Sequence, residues 1–237
     1  MSAKKRPSKR HWPRGVVIIH EDRDILVVEK PPGLLTMGTD RISAETLYYK
    51  LTDYVRKGNP KSKERVFIVH RLDREASGIL VFARSAQAKS FLQDQWPEVE
   101  KRYHSIVHGK VTPPAETITS YLAENHALMV YSTMDSSRGK LAHTAYRVLR
   151  ERNARSHLEI DLLTGRKHQI RVHLADKGHA IVGDKKYGTA DQAHKRLALH
   201  ATSLSFNHPS SGERVTFETG IPKYFTALMG AASDSER

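Results

Sequence analysis

The sequence has no cysteine, few tryptophans, few acids for its length, and no apolar run longer than stretches such as residues 15–19 and 78–83. Without cysteine a disulfide scaffold is excluded, and a tetrahedral zinc site would need other ligands. A membrane-crossing helix needs about 20 consecutive apolar residues, which no stretch supplies. No basic segment leads into the apolar core of a signal peptide, so the chain reads as a cytoplasmic protein with no membrane partner. Asp and Glu number 26 against 39 Lys and Arg, a formal charge of +13. Such a surplus suits a polyanionic partner, although basic enzymes with no nucleic-acid role also exist.

What is present divides into an arm and a body. The 237 residues, 38% hydrophobic, can bury a substantial core. The opening MSAKKRPSKRHWPR holds Lys4, Lys5, Arg6, Lys9, Arg10 and Arg14 and no acid. Lacking hydrophobic periodicity, residues 1–14 read as a disordered basic arm and leave about half of the net charge to the body. From Gly15, two β-branched runs at 16–19 and 25–28 flank a charged turn and predict a hairpin. Leu47, Leu51, Tyr54 and Val55 share a helical face, with Ser43 as the expected cap and Gly58 as the stop. A strand at 66–69, a polar loop and a strand at 78–83 follow; then Ser85 caps a helix bearing Ala88, Phe91, Leu92 and Trp96. Strand patterns near 103–111, 117–122, 127–132, 142–149 and 157–163 suit an antiparallel meander. A helix follows Gly165, and a turn at 207–212 separates two late strands. No repeat or linker interrupts residues 15–237, which predicts a single α+β domain.

Most motif chemistry can be set aside. The histidines lack a His-Glu-x-x-His pattern, and His168 and His173 are not stacked on one helical face, so no metal site is expected. Gly183 to Thr189 imitates a phosphate-binding loop but has Thr189 where the lysine belongs, which leaves a turn. No Gly-x-Ser-x-Gly marks a nucleophilic serine. Two charged sets remain. His70-Arg71-Leu72-Asp73-Arg74-Glu75 fills the loop between two apolar strands, where a solvated loop with local ion pairs is the plainer reading of charge clustering alone. Gly165 to His173 gathers cations at a helix start, the end where the macrodipole disfavours them; such a conflict hints at function.

These segments resemble a family. HRLDREASGILVFARS at 70–85, KRYHSIVHG at 101–109 and GRKHQIRVHLADKGHAIVGDKKYG at 165–188 are similar to the RluA family of RNA pseudouridine synthases. IIHEDRDILVVEKPPGLLTM at 18–37 and the stretch 197–225 extend the resemblance over about 16–228. It implies an isomerase with a mixed, largely antiparallel central sheet flanked by helices and an active-site cleft across the sheet. The reaction detaches uracil from a uridine in RNA, turns it and rejoins it through carbon 5. By motif position Asp73 is the catalytic aspartate, Tyr103 the active-site tyrosine and Arg171 the basic partner of the aspartate. Arg71 matches the residue that displaces the target base, and Ile170 the apolar wall of the uracil pocket. Arg166 and Lys167, with Lys30, Lys101 and Arg102, lie beside the motifs as candidate phosphate contacts. Glu75-Ala76, Lys167 and Ala180 depart from the family's usual wording, which bears on loop contacts and RNA choice.

The chemistry fits those residue types. Glycosidic cleavage builds positive character on the sugar, which an ionised carboxylate stabilises. The uracil is retained and no water is activated, so one carboxylate can suffice; no redox change occurs, so no cofactor is required. An arginine would hold the carboxylate's rotamer and charge, and a tyrosine offers a flat face and a hydroxyl acid or base. The expected partner is a ribosomal or transfer RNA stem-loop, with the base extruded from its stack and the protein acting as a monomer. Two other readings use the same residues. A non-catalytic RNA-binding or assembly protein would bind without turnover, and a small-molecule glycosidase or nucleosidase would turn over free uridine.

Overall fold

The computed structural model describes residues 11–38, 45–188 and 193–230. The chain forms two compact units, one comprising residues up to Glu98 together with Phe206–Phe217, the other Val99–Ser205 together with the residues from Glu218. The α+β class expected from the sequence is the class observed.

In the first unit β1 (Val17–Glu21) and β2 (Ile25–Lys30) form the anticipated antiparallel hairpin. Asp22 closes its turn, one carboxylate oxygen accepting the Asp24 and Ile25 N–H groups at 2.7 and 2.8 Å. After α1 (Leu47–Arg56), β3 (Phe67–Ile68) and β2 pair with opposite edges of β4 (Ser77–Ala83), every residue of which is buried. That burial accounts for the unbroken Gly-Ile-Leu-Val-Phe-Ala run. α1 turns Leu47, Leu51, Tyr54 and Val55 inward and ends where Lys57 and Gly58 adopt positive φ. Its cap is Thr46, whose hydroxyl accepts the Tyr49 N–H at 3.3 Å; Ser43 lies outside the described residues. α2 (Ala86–Asp94) is capped by Ser85 as expected, and a 3-10 turn at Trp96–Glu98 carries Pro97.

Residues 1–10 of the expected arm lie outside the described residues, but residues 11–14 are built into the first unit. Trp12 meets the Tyr54 ring edge-on at 5.5 Å, and His11 reaches Asp53 at 3.4 Å. The described chain thus packs from before Gly15, because the indole inside the basic stretch meets the Tyr54 ring of α1.

The second unit is a sheet in which β5 (Glu100–His108) has β9 (Arg155–Leu162) on one side and β10 (Leu199–Asn207) on the other. Beyond β9 come β8 (Lys140–Arg152), β6 (Ala115–Glu124) and β7 (Val130–Thr133), all antiparallel; the strands are those expected but the order is not a meander, because β5 pairs with β9 rather than β6, and β8 pairs with β6 rather than β7. α3 (Gln169–Asp176) packs on β6, β7 and β8, and Gly178 at φ +81° ends it. The chain leaves β10 through a turn at 208–212 into β11 (Arg214–Glu218), one residue shorter than the predicted 207–212 because Asn207 is the last residue of β10. The sequence reading omits α4 (Lys223–Met229), a short helix behind Pro222 that buries Phe225, Leu228 and Met229 against β5. Fewer than three turns give too little periodicity to stand out.

Candidate active site

Asp73 sits in the first unit on a loop fastened at both neighbouring residues. The Thr36 hydroxyl donates to the Leu72 carbonyl at 3.1 Å and accepts the Leu72 N–H at 3.3 Å. On the other side the Arg74 carbonyl accepts the Gly33 N–H at 2.8 Å, while the Arg74 Nε returns a bond to the Gly33 carbonyl at 3.1 Å. Gly33 makes this exchange at φ +84°, a conformation costly for other residues. Asp73 is half-buried, and Arg71 is exposed on the same loop.

Beneath the loop lies Lys30, fully buried at the end of β2. Its Nζ donates to the carbonyls of Pro31 at 3.0 Å, Leu34 at 2.8 Å and Arg74 at 3.1 Å. Burial lowers the Lys30 pKa to about 8, against the opposing pull of the Asp73 and Glu75 charges. Lys30 therefore ties three carbonyls together beside Asp73 and cannot reach a phosphate from the surface, contrary to the sequence expectation. Lys101 fails in the same way: it is buried, its Nζ on the Val99 carbonyl at 2.6 Å.

His70, at the head of the loop, accepts the Val81 N–H through Nε2 at 3.2 Å and stacks on Trp96 at 4.4 Å. That is a packing role. Among the described residues Asp22, Asp24 and His208 lie close enough together to suggest a cation site. His208 Nδ1, however, faces the Ser210 and Ser211 N–H donors at 3.4 and 3.5 Å, so in the neutral ring Nε2 bears the proton and points it at Asp22 at 3.0 Å. His20 adds a second contact to the same carboxylate at 2.7 Å. The cluster is a hydrogen-bonded turn, with Nε2 committed to its proton rather than to a metal.

The second unit holds Tyr103, Ile170 and Arg171. Tyr103 lies mid-strand in β5, opposite Ile160 on one side and Ala201 on the other, where the pairing with β10 shifts between Ala201 and Ser203. Such a bulge re-aims side chains locally. Ile170 is buried on α3 beside Arg171. The Arg171 guanidinium grips Asp184 with two bonds of 2.8 Å, Nε to one oxygen and Nη2 to the other, and lies over the Tyr187 ring at 5.2 Å. Burial alone would raise the Asp184 pKa, but Arg171 and the Tyr187 and Lys186 N–H donors hold it below the ordinary carboxylate value. Sequence reasoning missed Asp184. The turn it occupies was legible, and its glycines were the signal: a Cβ on Gly183 would stand 2.1 Å from the Arg196 carbonyl oxygen.

Ahead of α3, Arg166 and Lys167 are exposed. The Arg166 Nε donates to the Leu141 carbonyl at 3.1 Å, and Lys167 pairs with Glu124. The helix starts at His168 with φ +53°, its ring bonded to the Tyr187 hydroxyl at 2.7 Å. The cations that conflicted with the macrodipole thus precede the helix, two of them held by groups on neighbouring strands.

Residues 24–176 match the family model described as RNA pseudouridylate synthase, which is more than half of the chain. The chain belongs to this family. Among curated relatives, the ribosomal large subunit pseudouridine synthase D of Zymomonas mobilis is 32% identical over 93% of this chain and 74% of its own length. The synthase D of Neisseria meningitidis serogroup A is 36% identical over 89% of the chain and 59% of its own length, and that of Pseudomonas aeruginosa 34% over 90% and 70%. Among solved structures, human RNA pseudouridylate synthase domain containing 1 superposes with a TM-score of 0.74 at 26% identity, covering 91% of this chain and 87% of that one. The matched span includes the Asp73 loop, Tyr103 and Arg171.

Proposed function

We propose that this family member is an RNA pseudouridine synthase that isomerises uridines in structured ribosomal or transfer RNA, with Asp73 as its catalytic group. The observation that carries the reading is the clamped loop within the matched span. Asp73 is held between two residues whose backbone groups are fixed, beside a buried lysine that senses its charge. A carboxylate so restrained is preorganised to stabilise developing charge at the sugar carbon. Names of relatives that act on the ribosomal large subunit favour ribosomal RNA among the candidate substrates.

In this reading the bond from uracil N1 to the ribose breaks, the base turns in place, and a bond from C5 to the same sugar carbon forms. The C5 proton is lost and N1 regains one, so the reaction balances without an external reactant. Tyr103 stacks on the base and offers its hydroxyl for that proton movement, Arg171 supports the Asp73 carboxylate, and Ile170 lines the uracil site. Arg71 helps extrude the base, and Arg166 and Lys167 exchange their present partners for phosphates. Residues 15–237 act as one catalytic domain, a cytoplasmic monomer without metal or cofactor.

The test is a pseudouridine map of ribosomal and transfer RNA from cells with and without the gene, repeated with purified protein on unmodified transcripts. The proposal expects at least one position to lose its pseudouridine and regain it in vitro. Maps without any difference would remove the proposal, and tight RNA binding without turnover would favour a non-catalytic assembly protein.

A further inference from the structure

A line of hydrogen bonds in the second unit, buried at Gln169, Thr144 and His173 and exposed at Asp176, runs along one face of α3 through positions 169, 173 and 176. The Gln169 amide is oriented by backbone groups at both ends: its Oε1 accepts the Arg166 N–H at 3.0 Å, and its Nε2 donates to the His143 carbonyl at 2.9 Å. The second Nε2 proton goes to the Thr144 hydroxyl at 2.9 Å. Thr144 then meets His173 Nδ1 at 2.9 Å, His173 Nε2 meets Ser120 at 3.0 Å, Ser120 meets Ser132 at 3.1 Å, and Ser132 donates to Asp176.

The ends decide the direction of the whole line. Asp176 only accepts, so the Ser132 proton is spent there, and Ser120 must supply the bond to Ser132. His173 must then donate from Nε2 to Ser120. Burial, with His143 nearby and Asp176 opposing, lowers the His173 pKa to about 4, so at neutral pH the ring has one proton and Thr144 must donate to Nδ1. From the Gln169 Nε2 to Asp176 each side-chain proton has one acceptor, and the Gln169 Oε1 is fixed by a second bond from the Thr164 hydroxyl at 2.8 Å. Thr144, Gln169 and His173 are each almost wholly buried, where an unmade bond is expensive.

We infer that this directed network makes Gln169 and His173 positioning residues: it fixes the rotation of α3 on β6, β7 and β8 and thereby the placement of Ile170 and Arg171. A helix of two turns has little packing area to resist rotation, and five polar bonds from three of its side chains to neighbouring strands supply what its apolar face cannot. Arg171 holds Asp184 from the same two turns, so loosening the seam loosens that fork. The inference deepens the proposed function and rests on it for the catalytic use of Arg171.

The test uses the full chain with Thr144→Val, which keeps the shape of the side chain and removes the central hydroxyl, and Thr144→Ser, which restores it. On unmodified large-subunit ribosomal RNA transcripts, Thr144→Val should lower kcat about 10- to 100-fold, the scale of a misplaced positioning group, with KM nearly unchanged. Thr144→Ser should recover most of the loss. Nitrogen NMR should find His173 protonated on Nε2 in the wild type, and the Arg171 Nε–H should lose its protection from exchange in Thr144→Val. A wild-type His173 protonated on Nδ1, or a folded Thr144→Val with normal kcat and a protected Arg171 Nε–H, overturns the inference. If Thr144→Val does not fold, Ser132→Ala at the half-exposed end decides: it should mix the His173 tautomers and shorten Arg171 protection, and no change in either is contradictory. A wild type that forms no pseudouridine overturns the proposed function instead, because the arginine signal is read without turnover.

Discussion

Arg171 and Asp184 form a closed fork inside the second unit, two parallel bonds of 2.8 Å between side chains that are each nearly inaccessible to solvent. Removing one partner of such a pair strands the other charge in a dry site, at a cost of about 3–5 kcal/mol. Asp184→Ala is therefore expected to lower the denaturant midpoint by a corresponding amount. Asp184→Asn, which keeps the shape and the acceptor for Lys186 and Tyr187, should cost less. Urea unfolding of both variants checks the order; a near-zero cost for Asp184→Asn would show that the charge contributes nothing, and equal costs that the retained acceptor and shape contribute nothing.

Lys30 gives the chain a signature at alkaline pH. Burial, opposed by Asp73 and Glu75, puts its folded-state pKa at about 8, below the 10.5 of the free side chain. Between those values the unfolded chain holds a proton that the folded one has shed, so this group adds stability as pH rises through the window, by up to about 3 kcal/mol. Measured against Lys30→Met, wild-type stability should climb from pH 8 to 10.5. Parallel curves for the two proteins would refute the assignment.

Acid acts in the opposite sense through histidines. Burial is the leading cause that sets His157, His173 and His200 at about 4, below the ordinary 6.5. Protons taken up by the unfolded chain below pH 6.5 are refused by the folded one until near 4, so stability falls across that window, by up to about 3 kcal/mol for each ring. Thermal midpoints should drop steeply from pH 6.5 to 4.5. In His157→Gln the drop should be shallower, and an unchanged slope in that variant would argue against a buried neutral ring.

Chelation should leave turnover intact. The grouping at Asp22 and His208 is complete as hydrogen bonds, and the proposed chemistry uses no Lewis acid. Activity lost on dialysis against a chelator and restored by zinc alone would contradict this.

Much of the fold was legible because its signals are local. The Asp22 turn, the Ser85 cap and the Gly178 stop each combine a residue type with a position that needs it. What escaped was set by tertiary structure. Lys30 looks like any exposed cation in a charged stretch, and only the strands around it show that its amine is committed to three carbonyls. Asp184 is a partner thirteen residues from Arg171, which no helical or strand period relates. Trp12 lies in a run whose charge dominates the pattern, although the indole decides its packing. For the site, motif resemblance supplied Asp73, Tyr103 and Arg171, and the structure supplied what holds the loop and helix that carry two of them.

The central claim is that the Asp73 carboxylate performs the isomerisation, and Asp73→Asn tests it most directly. The substitution keeps the side chain's shape and removes the charge, so RNA affinity should stay within a few-fold of wild type. Pseudouridine formation on unmodified ribosomal RNA should fall by at least about 10³-fold, beyond what losing a single polar contact to the transition state costs. Binding preserved with turnover abolished is the predicted result. Appreciable pseudouridine from the purified, folded Asp73→Asn protein would contradict the account.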